Sequence, residues 1–385
     1  MALVQDRPVL GGNNSSEIRV WLNGDVNKPP YPRIGDVVKE LNPKQRAHPG
    51  TAEMYEDDKR ISLVKAEKNI KLFLSHRANE VQMGEAGIKA VIAQDIRTGR
   101  RICLTGKWFV DCTGDGVLGF LAGADYEATA KGHMGPSNLW TVKDTGNPVA
   151  FPSCPWALNL SNKPFPGRAS NSAQWSKPGL DSLGRWFWES GFSWDPIADR
   201  EKMRDWNLRA MFGAWDALKN TDKLYPNHQI EWVAYVSGPR ESRRLLGDVV
   251  LTRNHLLKAK QWDDACFPTT WTIDLHTPNP AYQKEFEGNE FISRATSDGF
   301  KRPYWVPYRC LYSRNIPNLF MAGRDISVTH DALGTVRVMR TGGAMGEIVG
   351  MAASICKKHG ANPRDVYEKH LDELKQLMTA GVGKN

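Results

Sequence analysis

Three stretches of this 385-residue chain carry residue types and spacings that suit chemistry. The first is 318–350. An apolar strand, Leu319–Met321, runs into Ala322-Gly323-Arg324-Asp325, a polar loop comes next, and Gly342-Gly343 open an apolar helix that extends to about His359. Gly323 lets the backbone approach a ligand with no Cβ in the way. Asp325 is placed to accept hydrogen bonds from the hydroxyls of a sugar-like chain. A helix starting near Thr341 presents unpaired N–H groups and the positive end of its dipole. This is the layout of a site for a large anionic cofactor, and also that of an ordinary buried strand–turn–helix. The second stretch is Arg240-Glu241-Ser242-Arg243-Arg244, next to apolar Leu245-Leu246. Arginine forks clamp carboxylates or phosphates, or stabilise developing negative charge; an ion-paired helix start is the other reading. In the third, Asp274-Leu275-His276, strand alternation puts the carboxylate and the imidazole on one face. The two form either a proton-transfer pair or a satisfied structural pair.

The elements that must position these residues can be read in chain order. Ala2-Leu3-Val4 is a short strand ending at Gln5-Asp6, and in a dinucleotide-binding fold the second strand ends near a polar or acidic residue that bonds the adenosine ribose. Leu10-Gly11-Gly12-Asn13-Asn14-Ser15-Ser16 is a turn. Helices are expected at 34–41 and 57–68, a strand at 70–74, and a meander over 79–111 with a hairpin turn at Arg97-Thr98-Gly99-Arg100. From about 134 to 304 Pro, Ser, Asn and Trp become dense and strand–helix alternation stops, which marks an inserted α+β substrate domain. Asp195-Pro196 starts a helix there. Trp186, Trp188 and Trp194 are either core or the lining of a ligand groove. Asn362-Pro363 caps a last, packing helix.

Gly114-Asp115-Gly116-Val117-Leu118-Gly119 matches GxGxxG between a strand and a helix. A dinucleotide fingerprint requires a second parallel strand with an acidic tip roughly 20 residues on. In place of such a strand this chain has the polar stretch Ala128–Pro136, so a later turn is the better reading.

Composition narrows the class. Hydrophobic content of 41% and charged content of 24% are ordinary for a globular protein. No apolar run approaches the roughly 18 residues of a membrane span, so no membrane partner is expected. Lys plus Arg is 51 against 43 acids, a scattered excess of +8 that suits anionic ligands but gives no nucleic-acid reader. Cysteines at 103, 112, 154, 266, 310 and 356 include no CxxC, so no iron–sulfur or zinc knuckle and no metal ligand set is expected. Reduced thiols and the absence of a signal-like start point to the cytoplasm; a leader ahead of Met1 stays open.

Four blocks carry a family resemblance: RPVLGGNNSSEIRVW (7–21), FVDCTGDGVLGFLAGADY (109–126), GPRESRRLLGDVVLT (238–252) and AGRDISVTHDALGTVRVM (322–339). In combination and order they resemble a family of bacterial FAD-dependent oxidoreductases. These are distant relatives of the fumarate reductase and succinate dehydrogenase flavoproteins, often grouped with the flavin subunit of heterodisulfide reductase. The resemblance implies an α/β fold with a FAD/NAD(P)-binding Rossmann-like domain, here 1–133 plus 305–385, interrupted by the substrate domain at 134–304. It implies FAD as cofactor and hydride transfer to or from a small, hydroxylated or sugar-like substrate. Cofactor contacts are implied for Gln5, Asp6, Gly11, Gly12, Asn13, Ser15, Thr113, Gly114, Asp115, Gly323, Arg324, Asp325, Gly342 and Gly343. His330 becomes the proton acceptor, Arg337 the group facing an anionic substrate or alkoxide, and Arg243 and His276 the residues that close the site. The family has a first strand, GxGxxG turn and helix ahead of the strand at 2–4, so the expectation is an N-terminally truncated chain. Two alternatives stand: a non-catalytic remnant, and a flavin subunit relaying electrons to an iron–sulfur partner. A redox partner or a homo-oligomer is compatible with either.

Overall fold

Two short apolar runs become parallel strands because crossovers return the chain to them. In the computed structural model, which describes residues 1–46, 48–168 and 178–383, strand β1 (Ala2–Gln5) pairs in parallel with β2 (Lys71–Leu74), Gln5 opposite Leu74. The crossover between them carries α1 (Asp36–Leu41) and α2 (Asp57–Ala66). An antiparallel meander comes next: β3 (His76–Gly84), β4 (Gly87–Asp95) and β5 (Arg101–Thr105). Its β4–β5 turn is set by Gly99 at φ 75° and by Asp95, whose carboxylate accepts from the Arg97 N–H at 2.9 Å. Then come β6 (Phe109–Asp111) and α3 (Val117–Leu121).

Between 134 and 304 the elements are shorter. β7 (Trp140–Asp144) pairs antiparallel with β8 (His228–Val233), and α4 (Arg200–Asp216) lies between them in sequence. The helix starts later than the Asp195-Pro196 signal because the Asp195 carboxylate caps a separate turn, accepting from the Ile197 and Ala198 N–H groups at 2.8 Å. β9 (Ala265–Thr269) then pairs antiparallel with β10 (Tyr304–Pro307).

The chain closes on β11 (Leu319–Met321), parallel to β6, with Met321 opposite Asp111. All three β11 side chains are buried. Asn318 fixes this strand to the meander: its side chain accepts from Ile88 N–H at 2.9 Å and donates to Ile88 O and Lys107 O at 2.8 and 2.9 Å. Helices α5 (His330–Val336), α6 (Met339–His359) and α7 (Pro363–Ala380) complete the chain. The stretch read as a polar loop therefore contains a helix, and α6 begins at Met339, ahead of Thr341. Gly334 does not break α5. It lies where a Cβ would stand 2.9 Å from Asp274 N, so it permits close approach.

Helix α6 buries Ala344, Met345, Ile348, Ala352 and Ile355, spaced by three or four residues as a core-facing stripe requires. Gly360 at φ 66° ends it, and Lys357, Lys358 and His359 sit at its negative end. Its Glu347 carboxylate accepts from Gly35 N–H at 2.8 Å and Val38 N–H at 3.2 Å, capping α1. One core gathers β4, β11, α5 and α6 and includes Leu245, Leu251, Phe267 and Ile273 from within 134–304. A second core is tryptophan-rich, built on Trp140, Trp188 and Trp215. Trp188 is thus core, Trp186 packs on His276 with ring centroids 4.7 Å apart, and Trp194 meets Trp206. Among the described residues no helix is long and apolar enough to cross a membrane.

Gly343 gives a test of the α1–α6 contact. A Cβ there would overlap Val38 Cγ2, and valine has little χ1 freedom in a helix. Gly343→Ala gains about 1 kcal/mol in helix propensity but overpacks the contact by roughly 1–3 kcal/mol. Urea denaturation should show a net loss, recovered when Val38→Ala is added; a single substitution that stabilises the protein would rule out this packing.

Candidate functional site

Residues 240–244 have side chains aimed both ways from one backbone segment. Glu241 points to α5. Thr329 caps that helix, accepting from Ala332 N–H at 3.4 Å, and so sets His330 at its first turn. The His330 Nδ1 lies 2.9 Å from both Glu241 oxygens. The same carboxylate accepts from Thr129 Oγ1 at 2.8 Å, Met134 N–H at 3.0 Å and Arg244 Nη1 at 2.7 Å. Burial raises the Glu241 carboxyl, but His330, the Met134 N–H and Arg244 outweigh it and hold it below the usual range. Glu241 is fully enclosed, while the His330 side chain is 26% exposed, so the ring's other nitrogen faces away from its anchor.

Arg240 points the other way. Its guanidinium lies 2.6 Å from Glu189, Glu189 lies 2.8 Å from His276 Nδ1, and His276 Nε2 lies 3.3 Å from Asp274. Asp274 also accepts from Trp271 Nε1 at 3.0 Å and Arg337 Nη2 at 3.1 Å. Arg240, Glu189, His276, Asp274 and Arg337 thus form one continuous chain of contacts. Burial raises Asp274, but His276 and Arg337 bring its carboxyl far below the usual range. Burial lowers Arg240 to about 10, still charged at neutral pH. Arg337 keeps one shielded donor, Nε, without a partner. His48 borders this chain. It packs on Trp21 with ring centroids 4.4 Å apart, and burial with Arg240, Arg185 and Arg46 nearby pushes it down to about 3, so it is neutral. Neither of its ring nitrogens has a partner.

The glycine–carboxylate segment differs, because its polar groups are unsatisfied. Gly323 has φ 140° and lies beside Gly114, and Asp325 is fully buried, its carboxyl facing no polar partner other than the Asp111 carboxyl. Burial and the neighbouring Asp111 carboxylate push Asp325 well above the usual range. The Ser327 and Thr341 hydroxyls are buried and unpartnered as well. Thr341 sits in the first turn of α6, which has no capping side chain and no acidic residue. An enclosed carboxylate, two free hydroxyls and a helix N-terminus without a side-chain cap, where Arg340 N–H is already donated to Asn23 O at 3.2 Å, fit a ligand with hydroxyls along a chain and an anionic ring edge. A cavity of about 560 Å³ lies next to this end, lined by Gly24, Asp25, Lys28, Thr270, Trp271 and Arg302 among others. Gly24 O accepts from Arg340 Nη1 at 3.1 Å, and Trp271 reaches Asp274, so the cavity touches both the helix end and the charge chain.

Other residues marked from sequence have local partners. Thr113 Oγ1 donates to Asp111 at 2.7 Å. Asp115 is held by Arg200 at 2.6 Å, Ser242 at 2.7 Å and Arg324 at 3.3 Å; burial raises it, and the two arginines bring it far below the usual range. A Cβ at Gly114 would stand 2.7 Å from Arg324. Asn13 donates to Pro239 O at 3.1 Å, Ser15 Oγ to Gly12 O at 2.7 Å, and Arg60 fills the space beside Gly11. Gln5 donates to Val9 O at 3.3 Å; Asp6 and Gly12 are exposed. Gly342 has open space and Gly343 packs on Val38. Arg243 stacks on Phe120 at 4.0 Å and donates to Asp115 O, away from the His330–Glu241 pair. The structure thus joins His276 and Arg337 in one network, places His330 in another, and leaves Arg243 in neither. Glu189, His48 and Ser327 escaped sequence reasoning, and Thr341 was read only as the start of the helix, without a role for its hydroxyl.

Residues 1–165 and 156–378 match the profile of the family described as FAD dependent oxidoreductase. No curated protein matches the chain. Among solved structures, the chain is similar to AlpK at 10% identity over 90% of this chain and 53% of that one, TM-score 0.27. It is similar to the flavin-dependent monooxygenase PieE in complex with FAD and substrate at 10% identity over 83% and 42%, TM-score 0.26. The Mycobacterium smegmatis Sdh1 complex in the apo form gives 11% identity over 90% and 64%, TM-score 0.30. The chain therefore spans about half the length of these chains, and the TM-scores are too low to carry an argument.

Asp325 carries a stability prediction of definite sign. A carboxyl whose folded value is raised stabilises the fold below its unfolded value of about 4 and becomes a burden as pH rises through the folded value. Asp325→Asn removes that burden. In ligand-free protein it should be more stable than the parent at pH 7.5, by about 1 kcal/mol or more, with the difference vanishing near pH 4. Urea titrations at the two pH values check this; a variant less stable at pH 7.5 would overturn it.

Proposed function

The chain belongs to the FAD dependent oxidoreductase family, with FAD as its cofactor, and from this premise we propose that it transfers hydride between FAD and a small hydroxylated or carboxylated organic substrate, with His330 handling the proton. FAD, when bound, supplies the two-electron redox chemistry. Asp325, Ser327, Thr341 and the open end of α6 are the groups that would hold it. The observation that carries the reading is the pairing of His330 with Glu241. With Nδ1–H donated to that carboxylate, Nε2 is the acceptor, on an oriented and partly exposed ring, and is suited to take a hydroxyl proton. Arg337, fixed by Asp274, offers its free Nε to an anionic group. Lys28 on the wall of the neighbouring cavity is paired with Asp25, and Arg302 on the same wall favours a carboxylated substrate entering there.

The finer fold reading is a Rossmann-like sheet in which one further parallel strand sits between the β1–β2 and β6–β11 pairs. Each pair has a free edge among the described residues. On the β6 side, Val110 is 38% exposed and Phe120 46%, apolar surface that an added strand and helix would cover. The turn after such a strand would give N–H groups to the diphosphate.

Two experiments test these readings. Under anaerobic conditions, hydroxy acids and polyols are screened for bleaching of the flavin absorbance, and the active compound is then tried on His330→Gln. Flavin content should be unchanged and the reduction rate should fall by roughly a hundredfold; an undiminished rate removes His330 from the chemistry. Separately, the present chain should bind FAD weakly by fluorescence titration. An upstream strand, glycine-rich turn and helix should tighten binding by roughly a hundredfold or more, through two charge-assisted hydrogen bonds. Equal affinities would dismiss the added strand.

A further inference from the structure

The far end of α6 gathers three metal-ligand side chains that the flavin chemistry does not use. His359 is the last residue of that helix, and His370 and Glu373 stand one turn apart on one face of α7. One ligand atom from each, the three all within 4.8 Å of one another, forms a group of the kind that holds a metal ion. The His359 Nε2 lies 2.7 Å from Glu373 Oε2, and the His359 and His370 rings stack with centroids 4.0 Å apart. The backbone contributes: α7 leaves helical geometry at His370, φ −131° and ψ 21°, where the imidazole meets His359.

We propose that His359, His370 and Glu373 bind a borderline divalent cation, Zn²⁺ first among them, as a staple between α6 and α7. Two imidazoles and one carboxylate are the donor set such ions prefer, whereas Ca²⁺ and Mg²⁺ require more oxygen ligands. In a zinc site ligand atoms stand about 3–3.5 Å apart, given metal–ligand distances of about 2.0–2.2 Å. The side chains need close only by rotamer adjustment at an exposed helix end. One obstacle is visible. Lys358 donates to the other Glu373 oxygen at 2.8 Å, so its ammonium opposes an incoming cation. The site is therefore weak in the parent and should strengthen without Lys358. The 21 residues of α6 separate it from the cofactor end by about 30 Å, so its role is structural. Sequence reasoning looked for cysteine ligands and passed over these residues, which are eleven and three apart.

The test uses the full chain, free of any histidine tag, and ZnCl₂ in isothermal titration with thermal melting alongside. One Zn²⁺ per chain and a raised Tm are expected, both lost in His370→Gln and in Glu373→Gln. Lys358→Ala should bind roughly tenfold tighter, by relief of one adjacent charge. A twentyfold excess of Mg²⁺ should not compete. Circular dichroism matching the parent guards against misfolded variants. Should a variant misfold, the Lys358→Ala affinity still decides. Absence of binding in both parent and Lys358→Ala, or binding that survives His370→Gln/Glu373→Gln, overturns the proposal.

Discussion

Glu241 is the buried charge around which the molecule is arranged. An enclosed carboxylate is tolerated only where donors replace its water, and here they come from four places: Thr129, the Met134 backbone, Arg244 and His330. Those residues are spread from Thr129, ahead of the segment 134–304, through Met134 and Arg244 within it, to His330 beyond it. Satisfying one carboxylate therefore brings 129–134, 241–244 and the start of α5 together. Loss of any donor leaves charge in a dry site, so the histidine's orientation is tied to the fold itself.

The Arg240 chain works by the same rule with more members. Single buried charges are costly, but here each carboxylate has an arginine against it, Glu189 with Arg240 and Asp274 with Arg337, and His276 joins the two pairs. A rigid arrangement of this kind positions what it touches. Arg337 is held through Asp274, and Trp271 carries the same network to the cavity wall. Adjacent residues 240 and 241 thus place two arrays from one backbone segment, which accounts for Arg240, Glu241 and Arg244, while Arg243 turns to Phe120 and Asp115.

Much of the frame was legible, and the reasons are local. Leu319–Met321, the turn at 97–100 and the Asn362-Pro363 cap are short-range signals, and they became β11, the β4–β5 turn and the start of α7. The α5 helix was not readable, since Gly334 looks like a breaker until Asp274 is known to press on it. Nor were Glu189 and His48. Periodicity says which face a side chain takes, but only tertiary contact brings Glu189 to His276, 87 residues away. Asp115 shows the converse: a motif position with a suggestive neighbourhood whose carboxylate is engaged by two arginines and a serine.

Unsatisfied polar groups separate the two halves of the site. In the Glu241 and Arg240 arrays nearly every buried polar atom has a partner. Between Asp325 and Thr341, in contrast, the Ser327 and Thr341 hydroxyls and the Nε atoms of Arg337 and Arg340 are shielded and unpartnered, and the Asp325 oxygens face only the Asp111 carboxyl. Each such group costs about 1–3 kcal/mol, and their concentration beside an uncapped helix end is not what core packing would select. A ligand presenting the complementary groups would satisfy the acceptors, hydroxyls and guanidinium donors kept dry there. These buried groups, more than the glycines that punctuate 318–350, are what a cofactor cradle would need and an ordinary strand–turn–helix would not.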